Sequence, residues 1–155
     1  MAIASEICNT FKQEILVEGH NFTGGTDAFK LALYSSDSAT LSKSTTAWAA
    51  ASDPTADPTD TYEVTTTGSG YTSGGNTLTS TTPVVNGDSA CCLFATTSWG
   101  STASFTARGC LIYNSTNSNK SVCSINFGAD KTVTSGTFTI EFPAQTAGNA
   151  IIQIA

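Results

Sequence analysis

The chain carries one histidine, His20, so any chemistry built on an imidazole must pass through it. A Ser-His-Asp arrangement needs that ring beside a hydroxyl and a carboxylate. Serines abound, but no GxSxG elbow offers one as a nucleophile. His20 stands in Gly19-His20-Asn21-Phe22, just after an expected helix stop, where a turn or capping role is the simpler reading. Pairing it with Cys8 as a Cys-His nucleophile has no further support. The five cysteines are Cys8, Cys91, Cys92, Cys110 and Cys123, an odd number with no CxxC spacing. On a strand, the neighbours Cys91 and Cys92 point to opposite faces. A disulfide framework or a zinc site has a different pattern, so reduced, small core side chains are expected.

Asp53, Asp57, Asp60 and Glu63 form the densest acidic cluster. Calcium favours oxygen-rich loops. The EF-hand spacing is absent, however, and Asp53 and Asp57 each precede a proline, so a solvated loop is expected rather than a cation site. Twelve Asp and Glu residues allow some carboxylate pair for glycoside hydrolysis without singling one out. No Walker loop, GxGxxG or HExxH occurs. Gly24-Gly25 and Gly74-Gly75 read as turn glycines, since no helix is indicated after them. Trp48, Trp99, Tyr62 and Tyr71 would serve either as a sugar-stacking platform or as core and interface residues. Arg108, inside a strand, could snorkel, pair with a carboxylate or bridge subunits. No catalytic residue, metal ligand or cofactor-binding residue is singled out.

The elements that would position these side chains are mostly strands. Of 155 residues, 19 are Ser and 27 are Thr, and only 12% are charged. Threonine is β-branched and favours strands, while the strong helix formers are scarce. This disfavours a helical bundle, a coiled coil and an α/β enzyme. One helix is predicted, over 3–18: Ile3, Ile7, Phe11 and Ile15 recur every four residues, Glu6 suits the first turn, and Gly19 ends it. From Asp27 to Tyr34 the period becomes two, a strand signal. Residues 35–61 read as a long loop with two Asp-Pro steps and Trp48 as its anchor. After a possible short strand at Glu63–Thr65, candidates follow at Asn76–Ser80, Pro83–Asn86, Ala90–Thr96, Ser104–Tyr113, Ser121–Phe127, Thr137–Phe142 and Ala150–Ile154. Trp99-Gly100, Gly128–Asp130 and Ser135-Gly136 are among the turn signals between them. The expectation is a mainly β protein: a single β-sandwich, jelly-roll-like, over 21–155, with one N-terminal α-helix or arm over 1–20.

The net charge is −6, and the basic residues Lys12, Lys30, Lys43, Arg108, Lys120 and Lys131 are scattered. Nucleic-acid binding needs a clustered basic face, so no direct nucleic-acid partner is expected. No apolar run is long enough for a membrane span, and no basic membrane-surface helix occurs, so no membrane partner is expected either. The opening Met1–Glu6 lacks the pattern of a secretory signal, which implies synthesis in the cytoplasm and gives little meaning to the sequons at Asn21 and Asn114.

Five segments, taken together and in order, resemble a family of small structural proteins of tailed bacteriophages. They are the helix with Phe11–Glu14 and Gly19–Phe22; Asp27–Tyr34; Gly70–Leu78; Ser104–Gly109; and Phe138–Pro143. The resemblance spans nearly the whole chain and is weakest over 43–61. Similar proteins decorate capsids as cement proteins with a jelly-roll-like fold. The resemblance implies a virion protein on the outer surface of the head, made in the host cytoplasm. Its partners would be the major capsid protein and further copies of itself, as a trimer or dimer. It implies binding rather than catalysis and supplies no catalytic motif. Ile3, Ile7 and Phe11 on the helix, with Trp48 and Arg108, are the candidate inter-subunit or capsid contacts. A tail, neck or fibre component is the alternative within the virion, and a carbohydrate-binding β-sandwich module is the alternative outside it.

Overall fold

The computed structural model describes residues 3–36, 39–49 and 62–155, so Asp53, Asp57 and Asp60 lie outside the described residues. In chain order the elements are β1 (Glu6–Ile7), α1 (Asn9–Glu14) continued by a 3₁₀ turn (Ile15–Val17), β2 (Phe29–Tyr34), β3 (Asn76–Leu78), β4 (Val84–Asn86), β5 (Ser89–Cys92), β6 (Thr97–Asn114), β7 (Lys120–Ile140) and β8 (Ile152–Ile154). They form two antiparallel sheets, ordered β1-β7-β6-β2-β3 and β4-β5-β8. The protein is mainly β, a sandwich with one short N-terminal helix, as the composition and periodicity indicate.

β2 lies inside the larger sheet, between β3 and β6. Its alternation sends Phe29, Leu31 and Leu33 into the main core with Phe11, Phe22 and Phe94. Phe22 stacks on Phe29 with ring centroids 4.5 Å apart. Ala32 and Tyr34 point the other way, into a second cluster with Ile3, Leu41, Leu111 and Tyr113. The second face is therefore also covered, by the N-terminal residues and the described part of the predicted loop. Leu41 is fully buried, and the Trp48 backbone N–H donates to the Asn119 carbonyl at 2.9 Å. Part of the predicted loop thus serves as packing, because an apolar second sheet face needs a lid.

The predicted helix over 3–18 is corrected: only Asn9–Glu14 is α-helical. Residues ahead of it are extended, with Glu6 and Ile7 paired to Ser124 and Cys123. A spacing of four fits a helical period of 3.6 and also a strand period of two, so the Ile3–Ile7–Phe11 stripe was ambiguous at its N-terminal end. The open edge of β7 decides it by offering hydrogen bonds to an extended segment. Ile3 reaches one core cluster and Phe11 the other, which no single helix stripe could do. Glu18, with φ 58°, turns the chain out of the helix, and Leu16 and Val17 remain exposed.

The strand boundaries are corrected too. Ser121–Phe127 and the first four residues of Thr137–Phe142 belong to one strand of 21 residues, Lys120–Ile140. Its partner β6 runs 18 residues and begins at Thr97. The supposed turns at Trp99-Gly100, Gly128–Asp130 and Ser135-Gly136 fall where the β6–β7 register shifts. They are bulges, in which extra residues kink one strand without ending the pairing. Gly128 at φ 76° and Ser135 at φ 46° take the positive-φ geometry that makes a bulge look like a turn in sequence.

Candidate functional site

His20 anchors a buried polar network between α1 and the far end of β6. Its side chain is fully covered. Nε2 lies 2.8 Å from Glu14 Oε2, and Nδ1 lies 3.2 Å from Asn114 Nδ2. Asn114 Oδ1 accepts the backbone N–H groups of Thr116 and Asn117, at 3.0 and 3.1 Å. The amide nitrogen must therefore face His20, and it also donates to Asp27 Oδ2 at 2.7 Å. The network assigns the proton of His20 to Nε2, which donates it to Glu14. Lys120 Nζ completes the set 3.0 Å from Glu14 Oε1. Burial opposes the charge on Glu14, but the hydrogen bonds from His20 and Lys120 outweigh it and hold the carboxyl below its usual range. A fully covered imidazole has no access to a substrate; the group ties α1, the Gly19–Asp27 segment and the β6–β7 turn together.

Glu63 organises a second network. Its Oε1 accepts the Tyr71 hydroxyl at 2.7 Å and the Gly74 N–H at 2.6 Å, and its Oε2 accepts the Ser73 hydroxyl at 3.1 Å. The Tyr71 oxygen in turn accepts the Leu33 N–H at 3.0 Å. Burial, with the neighbouring Glu63 carboxylate, pushes the Tyr71 phenol well above its ordinary range. Tyr113 donates to the Gly74 carbonyl at 2.8 Å, and Trp48 stacks on its ring at 5.1 Å. This network clamps the Thr72–Gly75 turn to the sheet.

All five cysteines are buried and free, in line with the reduced core side chains expected from their pattern. Burial raises the thiols of Cys8, Cys110 and Cys123 and pushes Cys92 up to about 12. Thiols held neutral in this way are poor nucleophiles. Among the described residues no three His, Cys, Asp or Glu side chains gather as a metal site, and no described helix is long and apolar enough to cross a membrane.

One open feature among the described residues is an apolar trough along β7. β1 pairs with β7 at Cys123 and Ser124, and Ser5 and Ile3 hold Asn126; past these, β7 is the outermost strand of the sheet among the described residues. A groove of about 440 Å³ beside that edge is lined by Ile125, Phe127, Phe138, Ile140, Phe142 and Ile151, with Lys131 and Glu141 among its other residues. A second hollow bordered by Ile7 shares Ile125 and Ile151 with it. Its apolar side chains are half-buried: packed beneath against the core, open above. Half-covered apolar surface of this kind marks a contact site for another molecule.

Of the residues expected to make contacts, Ile7 lies beside the trough and the others do not line it. Ile3 and Phe11 are each 3% exposed, inside the two core clusters. Ile7 is half-buried and borders the trough. Trp48 is half-buried over Tyr113. Arg108 Nη1 pairs with Asp130 Oδ1 of the bulge at 3.5 Å, the carboxylate partnership among the options for a strand arginine. The sugar platform is not assembled, because Trp99 and Tyr71 are each 3% exposed and stack on one another. The sequence did carry a signal for the trough, since Phe138, Ile140 and Phe142 alternate. Alternation alone says that they share a face; only the sheet order shows that this face is left partly open among the described residues. Comparison with protein-family models, with curated proteins and with solved structures finds no match to the chain.

Proposed function

We propose that the chain is a virion structural protein that decorates the head of a tailed phage, binding the outer capsid surface and strengthening contacts between coat subunits. The reading begins in the five ordered segments described above. The observation that carries it further is a contrast in the fold. The two polar networks are closed on themselves, whereas the trough along β7 is apolar, open and long. A protein so arranged is suited to surface contact: its polar groups hold the body rigid, and its apolar strip is left to a partner. The low charge of the strands suits close lateral packing, because hydroxyls are buried at less cost than ions. Many copies on a lattice would also gain avidity from modest single contacts.

Quantitative mass spectrometry of purified particles tests the proposal by counting copies of this chain per major coat protein. A ratio near one, or a simple fraction of it, supports decoration. A handful of copies per particle moves the chain to the tail, neck or fibre. Absence from particles ends the virion reading.

A further inference from the structure

We propose that Asn86 is a site of self-modification: the backbone nitrogen of Gly87 displaces ammonia from the Asn86 side chain, and water opens the resulting ring to aspartate and isoaspartate. This goes beyond the decoration reading and does not rest on it.

Of the nine asparagines in the chain, only Asn86 precedes a glycine. Asn86 ends β4 and pairs with Ser89, so Gly87 and Asp88 form a two-residue hairpin loop, with Gly87 at φ 61°. Asn86, Gly87 and Asp88 are all exposed, and a Cβ on Gly87 would meet nothing within 4 Å. The Gly87 N–H lies outside the Asn86–Ser89 ladder and bonds to no described group. The Asn86 carboxamide has one described partner: its Oδ1 accepts the Ala147 N–H at 3.2 Å. That donor draws electron density from Cγ and stabilises negative charge on the oxygen during attack. It leaves Nδ2, the group that must depart, unheld. The attack requires Asn86 to leave its extended backbone. β4 permits this, because it is an edge strand of three residues, exposed throughout, whose end opens without disturbing the core.

The atoms balance with water as the only co-reactant. Gly87 N forms a bond to Asn86 Cγ, the Cγ–Nδ2 bond breaks, and the amide proton leaves with Nδ2 as ammonia. Water then adds to the five-membered imide. Opening at Cγ gives aspartate, and opening at the backbone carbonyl gives isoaspartate. Either product adds one negative charge beside Asp88. Isoaspartate also inserts an extra atom into the backbone at a loop of two residues and removes the carbonyl that pairs with Ser89, so it loosens the hairpin. The fold withholds the same step from other asparagines. The N–H that would attack is already bonded after Asn114, to the Ala28 carbonyl at 2.8 Å. The same holds after Asn119, to the Asn117 carbonyl at 3.0 Å, and after Asn149, to the Thr146 carbonyl at 3.0 Å. Asn21 and Asn126 are each followed by phenylalanine, whose side chain crowds the attacking nitrogen, whereas glycine has none.

The test is peptide mapping by mass spectrometry of the folded full chain, incubated for weeks at mildly alkaline and at mildly acidic pH. The peptide holding Asn86 should gain one mass unit, with matching release of ammonia and a mixture of aspartate and isoaspartate resolved by fragmentation. The gain should be several-fold faster in alkali, which deprotonates the attacking nitrogen, and several-fold faster than at any other asparagine. Gly87→Ala should slow it several-fold by crowding that nitrogen. Asn86→Gln, which would have to close a six-membered ring, should nearly abolish it. Both sites are on the surface, and circular dichroism verifies that each protein stays folded throughout. An Asn86 peptide that keeps its mass while other asparagines react, or while none does, overturns the proposal. So does a gain that yields aspartate alone, which would be direct hydrolysis, or one that Gly87→Ala leaves at the wild-type rate.

Discussion

His20 and Glu14 meet at 2.8 Å with the imidazole side chain fully covered, and the same carboxylate holds Lys120 through its other oxygen. Against the cost of burial, these two donors keep the Glu14 carboxyl below its ordinary value of 4.5. A carboxyl lower in the folded than in the unfolded state stabilises the fold above its unfolded value, and that contribution is lost as pH falls through the folded one. Glu14→Gln should therefore cost about 1–3 kcal/mol at neutral pH, as for a hydrogen bond to a charged group. The difference from wild type should shrink as pH drops below about 4.5. Urea unfolding at a series of pH values checks this; a constant difference down to about pH 3 would show that the Glu14 charge is not what the network uses.

Gly75 and Gly87 make a matched pair of positive-φ glycines with opposite surroundings. A Cβ on Gly75 would stand 1.7 Å from the Leu31 carbonyl oxygen, whereas on Gly87 it would meet nothing within 4 Å. Gly87→Ala should cost only the left-handed penalty, about 1–2 kcal/mol. Gly75→Ala must also push β3 away from β2 and should leave little folded protein. Thermal melts of the two variants separate strain from collision; equal losses would contradict the close approach at Gly75.

Phe29 is fully buried and stacks on Phe22 within the aromatic group that joins the sheets through Phe94. Phe29→Ala should cost about 3–5 kcal/mol, a large part of the stability of a typical domain. Chemical denaturation measures it directly, and a loss under about 1 kcal/mol would mean that this core is not packed as described.

The cysteines should be silent in the native protein. All five are buried, and the thiols of Cys8, Cys92, Cys110 and Cys123 are raised chiefly by burial. An aromatic disulfide reagent at neutral pH should label none of them quickly and all five after denaturation. Rapid labelling of one thiol under native conditions would point to an opening that the packing does not contain.

The class of fold was legible because its signal is local. Threonine-rich alternation, turn residues and the clean period of Phe29, Leu31 and Leu33 need only near neighbours to be read. The burial of the cysteines followed from their spacing in the same way. Where a strand ends was less legible, because a bulge and a turn use the same residues: Gly128 and Ser135 take positive φ in either case. Only the continued pairing of β7 with β6 distinguishes them, and that pairing joins residues far apart in the chain.

The N-terminal segment and the contact surface were decided by tertiary structure alone. The sequence by itself determined that Ile3, Ile7 and Phe11 would be apolar at even spacing. Whether they coil or extend depended on the open edge of β7 more than a hundred residues away. It likewise determined that Phe138 and Ile140 alternate, but whether that face is sealed or open depends on what lies beside β7, and among the described residues no strand pairs with its outer edge past Ser124. Periodicity records the direction in which a side chain points; only the assembled sheets determine what it meets there.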